Sequence, residues 1–362
     1  MVEWLAGNRI RGTSTERTTG AGFNPVDAIS GGWKEIGRTT LGSSSVNITT
    51  PTLANKRYLM ILGDARYVSS ESALTPRFLF NGDTGSNYAE RRSLDGGSDT
   101  TAVSQPEIVL GSNNITAPAF TVGHVSNLAS KEKLVTGNIN LQNTAGAGTA
   151  PQRSEYAGKW ANTSNAISTV TFKNYGTRQF DSGSEVVVLG WDPADTHTTN
   201  FWEELASVDL SGGAADTLST GTFTAKKYLW IQYFAKAVTD TTSARITFNS
   251  DTGSNYARRQ QVNGGSDGTG TSLSNIDLWN DDMTVGTTGF LNLFMINNSA
   301  TEKLGIGHSN QPLGSGAGTA PQRREAVIKW ANTSNQITNI TLTNHRSGTL
   351  DTPTILKVWG SD

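Results

Sequence analysis

Three strings recur in the same order along this 362-residue chain. Asp-Thr-Gly-Ser-Asn-Tyr-Ala at 83–89 returns 168 residues later at 251–257. Gly-Ala-Gly-Thr-Ala-Pro-Gln-Arg at 146–153 returns after 170 residues at 316–323, and Lys-Trp-Ala-Asn-Thr-Ser-Asn at 159–165 returns after 170 at 329–335. Solenoid units span roughly 20–50 residues, so this period belongs to a duplicated whole domain. Each copy has about 160 residues, a size that buries roughly 70% of its unfolded surface around one core. The expected division is an N-terminal arm (1–30), a first repeat (31–192), a linker (193–200) and a second repeat (201–362). The connection is short and polar and carries Pro193, so it permits little independent drift.

Charged residues make up 17% of the chain, below the usual ~25%, while Gly, Ser, Thr and Asn abound. Disorder requires high net charge with few apolar residues, and helices require Ala, Leu, Glu and Lys. Short strands joined by Gly/Asn/Asp/Ser turns are what remains. In the first repeat, strands are expected near 57–62, 76–81, 87–93, 106–110, 119–126, 133–140, 167–174 and 184–190. Val186-Val187-Val188-Leu189 reads as a strand buried on both faces, and 228–234 and 290–296 are the matching apolar strands of the second repeat. Residues 77–80 and 87–89 read as a hairpin around a Gly-rich loop. The expectation is an all-β protein: two tandem jelly-roll-like antiparallel β-sandwiches from a domain duplication, each of about eight strands, after an irregular arm.

The formal net charge of −2 and a pI near 6.1 offer no basic field for nucleic acid. The arm sets Arg9, Arg11 and Arg17 against Glu3, Glu16 and Asp27, so it is neutral rather than a phosphate-binding tail. No stretch is long and apolar enough to span a bilayer as a helix, and the start lacks the basic-then-apolar pattern of a secretory signal. No nucleic-acid or membrane partner is expected. Cysteine is absent, which excludes disulfides, thiolate metal sites and cysteine nucleophiles together. Six Asn-x-Ser/Thr sequons, beginning with Asn47 and Asn114, read as chance matches in so Asn/Ser/Thr-rich a chain.

A duplicated enzyme should duplicate its chemistry. None of the four histidines recurs: His124 faces Phe294, His308 faces Asn138, His345 faces Tyr175, and His197 lies in the linker. Gly264-Gly265-Ser266-Asp267-Gly268 matches a nucleophile elbow by letter, but both flanks are polar loop and Thr100 replaces the last Gly in the other copy. The glycines at 146–148 are no phosphate cradle, because Pro151 removes a donor where a helix should begin. Neither a catalytic residue nor a cofactor is expected. Asp83 and Asp251 share one loop, and Asp99 and Asp267 another. These four oxygen-rich turns are either Asx turns that bond their own backbone or a Ca²⁺ site. The recurring aromatics Trp160, Trp330, Tyr88 and Tyr256 are either core residues or an aromatic platform for glycans. The pairs Arg91-Arg92 and Arg258-Arg259 belong to a solvated strand face or a subunit contact.

The arm string Gly-Asn-Arg-Ile-Arg-Gly-Thr-Ser-Thr-Glu-Arg at 7–17, the Trp-x-Glu-Ile/Leu openings at Trp33 and Trp202, and the recurring strings above resemble a group of poorly characterised virion proteins. Those proteins belong to tailed phages and related viruses of aquatic microbes, and the resemblance covers most of the chain. It implies a structural or accessory component of the virion, made in the host cytoplasm, with no catalytic residues to carry over. The expected partners are further copies of this chain in a homo-oligomer and other virion proteins. Tandem sandwiches suit pseudo-symmetric packing, and the arm would order on docking, with Trp4, Leu5, Arg9, Arg11 and Phe23 as its assembly contacts. The competing expectation is a tandem carbohydrate-binding or adhesin module for host-surface glycans.

Overall fold

The computed structural model describes residues 32–111, 116–193, 195, 200–237, 244–277, 288–313 and 316–362, with the pairs Trp4–Leu5 and Asn8–Arg9. Every regular element among them is a strand. Trp4–Leu5 (β1) pairs antiparallel with Asn8–Arg9 (β2), so three of the expected arm contacts fall in one short ladder. Arg11 and Phe23 lie outside the described residues.

The first repeat runs through β3 (Lys34–Thr40), β4 (Asn47–Thr49), β5 (Tyr58–Ala65), β6 (Arg77–Phe80), β7 (Tyr88–Leu94), β8 (Thr100–Gln105), β9 (Ile108–Val109), β10 (Ala119–Ser126), β11 (Lys133–Leu141), β12 (Gln152–Trp160), β13 (Val170–Lys173) and β14 (Glu185–Trp191). They form an eight-stranded sheet in the order β3-β14-β5-β10-β11-β12-β7-β8 and a four-stranded sheet in the order β4-β13-β6-β9, with every pairing antiparallel. The second repeat, from β15 (Glu203–Asp209) to β26 (Ile355–Ser361), repeats both sheets in the same order. Each repeat is thus an antiparallel β-sandwich of unequal sheets, with twelve strands where about eight are expected from the sequence.

The expected hairpin of 77–80 with 87–89 is corrected. β6 belongs to the small sheet and β7 to the large one, so the Gly-rich loop crosses between layers. The tight hairpin is the next one, from β7 to β8. Asp95 and Gly96 both take positive φ (52° and 71°), and Gly97 N–H donates to Leu94 C=O at 2.9 Å. Asn263 and Gly264 repeat this in the second sandwich. Positive φ at both central positions matches the twist of the flanking strands, and Asn/Asp-Gly tolerates it.

Alternation along the strands sends successive side chains to opposite faces, and each large sheet packs on both faces, against its own small sheet and, over part of its length, against the other sandwich. Leu59 and Ile61 on β5 and Val186 and Val188 on β14 point into the first core, against Phe78, Phe80 and Phe172 of the small sheet. Met60, Leu62, Val187 and Leu189, one residue out of phase, point the other way into a separate apolar cluster. That cluster is completed by the second sandwich, including Tyr228 and Trp230 on β17 (Tyr228–Lys236), Phe294 on β22 (Thr288–Ile296) and Trp359 on β26. The second core mirrors the first around Leu229, Ile231, Phe248 and Trp330. The order of layers is small sheet, large sheet, large sheet, small sheet.

Candidate functional site

Two kinds of polar constellation emerge, one that recurs in both sandwiches and one that joins them. In the recurring set, Asp83 accepts from Gly85 N–H at 2.9 Å, from the Asn87 amide at 2.9 Å and from the Trp160 indole N–H at 2.7 Å. Asp251 does the same with Gly253, Asn255 and Trp330 at the same three distances. Tyr88 and Tyr256 stack on Trp160 and Trp330 at 6.3 and 6.4 Å between ring centroids. Behind each indole a buried lysine recurs. Lys133 Nζ lies 5.5 Å from the Trp160 ring and donates to Ala129, Lys131 and Asn162 carbonyls. Lys303 Nζ lies 5.7 Å from Trp330 and donates to Thr301 and Asn332 carbonyls. Burial pushes Lys303 down to about 8, with Glu302 acting in the opposite direction. The lysines recur at an offset of 170, a signal in the sequence that the string matches alone pass over.

All four aromatics are buried, so the glycan platform of Trp160, Trp330, Tyr88 and Tyr256 is corrected: they are core side chains whose polar tips anchor a loop. The four aspartates each accept from protein donors, and in Asp83 and Asp251 the pattern is that of an Asx turn. Asp83 and Asp251 hold their own turns and an indole, Asp99 pairs with Arg91 at 3.2 Å, and Asp267 pairs with Arg153 at 2.7 Å. Among the described residues, no group of three or more His, Cys, Asp or Glu side chains is arranged to hold a metal.

The loop aspartates carry a pH signature. Burial acts to raise Asp83, but the bonds from Trp160, Asn87 and Gly85 outweigh it and hold the carboxyl below the usual carboxylate range; Asp251 behaves alike with Trp330, Asn255 and Gly253. A depressed folded pKa contributes stability that is present above the unfolded value, near 3.9, and is lost as pH falls through the folded one. The double variant Asp83→Asn/Asp251→Asn is therefore expected to be less stable than wild type at neutral pH. That gap should narrow as pH falls below about 4. Urea midpoints measured from pH 7 downward check it, and a gap independent of pH would show that the charge is not its source.

The second constellation lies where the two large sheets meet. On the β14 side of the apolar cluster, Glu185 accepts from Tyr228 Oη at 2.7 Å, Lys227 Nζ at 3.0 Å and Arg38 Nη1 at 3.0 Å, and it also takes Thr40 Oγ1. Burial works to raise this carboxyl, and Lys227, Thr40, Tyr228 and Arg38 hold it low. Asp64 joins from β5, taking Asn298 Nδ2 at 2.9 Å. On the β12 side, Arg153 donates to Asp267 at 2.7 Å and lies 3.3 Å from Glu325, and Arg259 pairs with Asp95 at 3.1 Å. Between these, Asn140 on β11 donates to the carbonyls of Gly305 at 2.9 Å and Ile328 at 2.7 Å, and Lys329 Nζ reaches the carbonyls of Gln142 and Thr144. Of the four paired arginines, Arg259 reaches Asp95 of the other sandwich, while Arg91 sits on an exposed strand face. The connection is tied down as well: Phe201 N–H donates to Trp33 C=O at 2.7 Å, and Asp195 pairs with Lys56.

The contact is not symmetric, although the sandwiches are copies. Arg153 is 2% exposed in it, while its counterpart Arg323 is 60% exposed and, among the described residues, pairs with Glu325 of its own sandwich. Lys329 is buried, while its counterpart Lys159 lies on the surface with Glu132. Strand registers align Tyr58, Leu62 and Val187 with Tyr228, Gln232 and Lys357. Sandwich one therefore docks through the Leu62 end of its sheet and sandwich two through the Tyr228 end. What this arrangement does chemically is bind one β-sheet face to a shifted copy of itself. Sequence reading missed these residues, though the doubly apolar β14 was their trace. A sheet with one wet face would alternate.

No family model matches this chain, and no curated protein matches it. Solved structures aligned to it include Neisserial surface protein A, at 7% identity over 79% of this chain and 96% of that one, with a TM-score of 0.11. Pseudomonas aeruginosa OccK10 aligns at 8% identity over 91% and 98%, with a TM-score of 0.18. At these scores the likeness to either carries no argument about fold or function.

Proposed function

We propose that this chain is a non-enzymatic building block of a virion: a capsid decoration, turret, fibre or tail-attached component that assembles through sandwich faces and the N-terminal arm. One observation carries the reading. What the two copies keep in common is loop anchoring and core, and where they diverge is the face by which one docks on the other, with Leu62, Val122 and Val187 of the first copy replaced by Gln232, Asn292 and Lys357 in the second. A duplicated enzyme or a tandem receptor would keep its reacting or binding groups in common; an assembly unit diversifies its contacts. The resemblance of the arm and recurring strings to virion proteins points the same way, and a jelly-roll kinship of each sandwich belongs to this proposal rather than to the observed topology.

Mass spectrometry of purified particles tests it. The chain is expected at fixed stoichiometry, and deletion of residues 1–30 is expected to abolish attachment while leaving both sandwiches folded. Particles that lack the chain altogether would end the proposal.

A further inference from the structure

The face that sandwich two uses for docking has a counterpart on sandwich one that no described residue of this chain covers. In sandwich two, Tyr228 pairs with Ile296 and Ser361, and Leu304 pairs with Lys329 and Ile296. In sandwich one, Tyr58 pairs with Ser126 and Trp191, and Leu134 with Lys159 and Ser126. The positions are equivalent, and their surroundings are not. Tyr228 and Leu304 are 0% and 1% exposed against sandwich one, while Tyr58 is 37% exposed and Leu134 58%.

The uncovered face keeps the aromatic character of the covered one. Trp202 packs against Phe294 with ring centroids 5.9 Å apart, and its counterpart Trp33 meets His124 edge-on at 6.4 Å. Trp191 stacks on Tyr58 at 5.4 Å, where sandwich two has Ser361. Together with Leu134, these side chains wall an open groove of about 400 Å³ with no charged lining residue. Trp33 also packs against the apolar cluster between the sandwiches, so the groove continues an interface that already exists. Exposed aromatic and aliphatic side chains gathered at one groove offer a surface for association.

We infer that this face of sandwich one docks onto the same face of a second copy of the chain, giving a two-fold dimer. Two courses are open to a second copy. Head-to-tail addition would set this face on sandwich two of the next chain, repeating the internal contact. There, however, Leu62, Val122 and Val187 of the acceptor are replaced by Gln232, Asn292 and Lys357. Gln232 is already buried and bonded to Asn292 at 3.0 Å, and Lys357 is 13% exposed beside Glu204, so that end of sandwich two offers no open apolar acceptor. Face-to-face addition sets apolar groove on apolar groove, with no charge opposed to its like, as an isologous contact requires. The same substitutions therefore stop an open filament and leave the closed pair.

The inference rests on the assembly reading above, yet the two fail separately. Sedimentation velocity on the full chain at low- and high-micromolar concentration is expected to show a monomer–dimer equilibrium. Leu134→Lys should shift it toward monomer by about tenfold or more, as at an interface anchor, with thermal unfolding unchanged because Leu134 is already exposed. Because the chain has no cysteine, a nitroxide on Lys159→Cys, at the rim beside Leu134, reports only contacts between chains. It should give an interchain dipolar distance that Leu134→Lys removes. A monomeric wild type, a dimer indifferent to Leu134→Lys, or open-ended growth would each overturn the inference. A dimer that never reaches particles would overturn the virion reading alone.

Discussion

Arg153→Ala is expected to lower the stability of the chain by about 3–5 kcal/mol, while Arg323→Ala, the same change at the equivalent position of the other copy, should cost at most about 1 kcal/mol. Both arginines end the string Gly-Ala-Gly-Thr-Ala-Pro-Gln-Arg and sit in equivalent strands. Arg323 is solvated, and although its partner Glu325 at 3.1 Å is mostly buried, water reaches the guanidinium and salt screens it. Arg153 has left water and holds Asp267, itself 2% exposed, and Glu325 across the inter-sandwich contact. Alanine there strands a buried carboxylate whose nearest other cation, Arg259, is 4.0 Å away. Arg153→Met separates charge from volume: it fills much of the space and should still destabilise by more than Arg323→Ala. Urea or guanidinium midpoints of the three variants check the ranking. Equal costs at 153 and 323 would mean that the contact between sandwiches contributes little to holding the chain together.

Trp160→Ala and Trp330→Ala are each expected to cost about 3–5 kcal/mol, the range for deleting a fully buried large aromatic. Two effects add at these sites. Removal of the indole leaves a cavity among Phe80 and Tyr88, or Phe248 and Tyr256, whose rings lie about 6 Å away by centroid. It also takes the N–H donor from Asp83 or Asp251, which loosens the loop that each carboxylate organises. Trp→Phe separates the two, restoring most of the volume without the donor, and should recover the larger part of the loss. Thermal or denaturant unfolding measures it. If either Trp→Ala variant kept wild-type stability, these side chains would not be core, and the glycan-platform reading would return.

Much of the architecture was legible in the residues. The duplication, the β class, the turn chemistry of Asp95-Gly96 and Asn263-Gly264, and the double burial of Val186 to Leu189 follow from spacing, composition and local stereochemistry. β12 was not legible. Its string Gln-Arg-Ser-Glu-Tyr-Ala-Gly-Lys-Trp reads as polar loop, because the partner that neutralises Arg153 lies 114 residues away in the other sandwich. The Gly-rich loop at 81–87 was misread as a hairpin for a related reason. Local sequence specifies a turn there, and only the placement of β6 and β7 in different sheets makes it a crossover.

The candidate site divides along the same line. By itself the sequence determined that two equivalent sandwiches would form and that each would keep the Asp, Trp and Tyr its loops require, since those needs are met within one domain and recur with it. Only the tertiary structure decided which arginine is buried, which lysine is solvated and which aromatic face stays open. Identical strings cannot encode that difference. It arises because two copies of one sheet pack out of register, so that equivalent residues meet different surroundings and desolvation selects which of them must be paired.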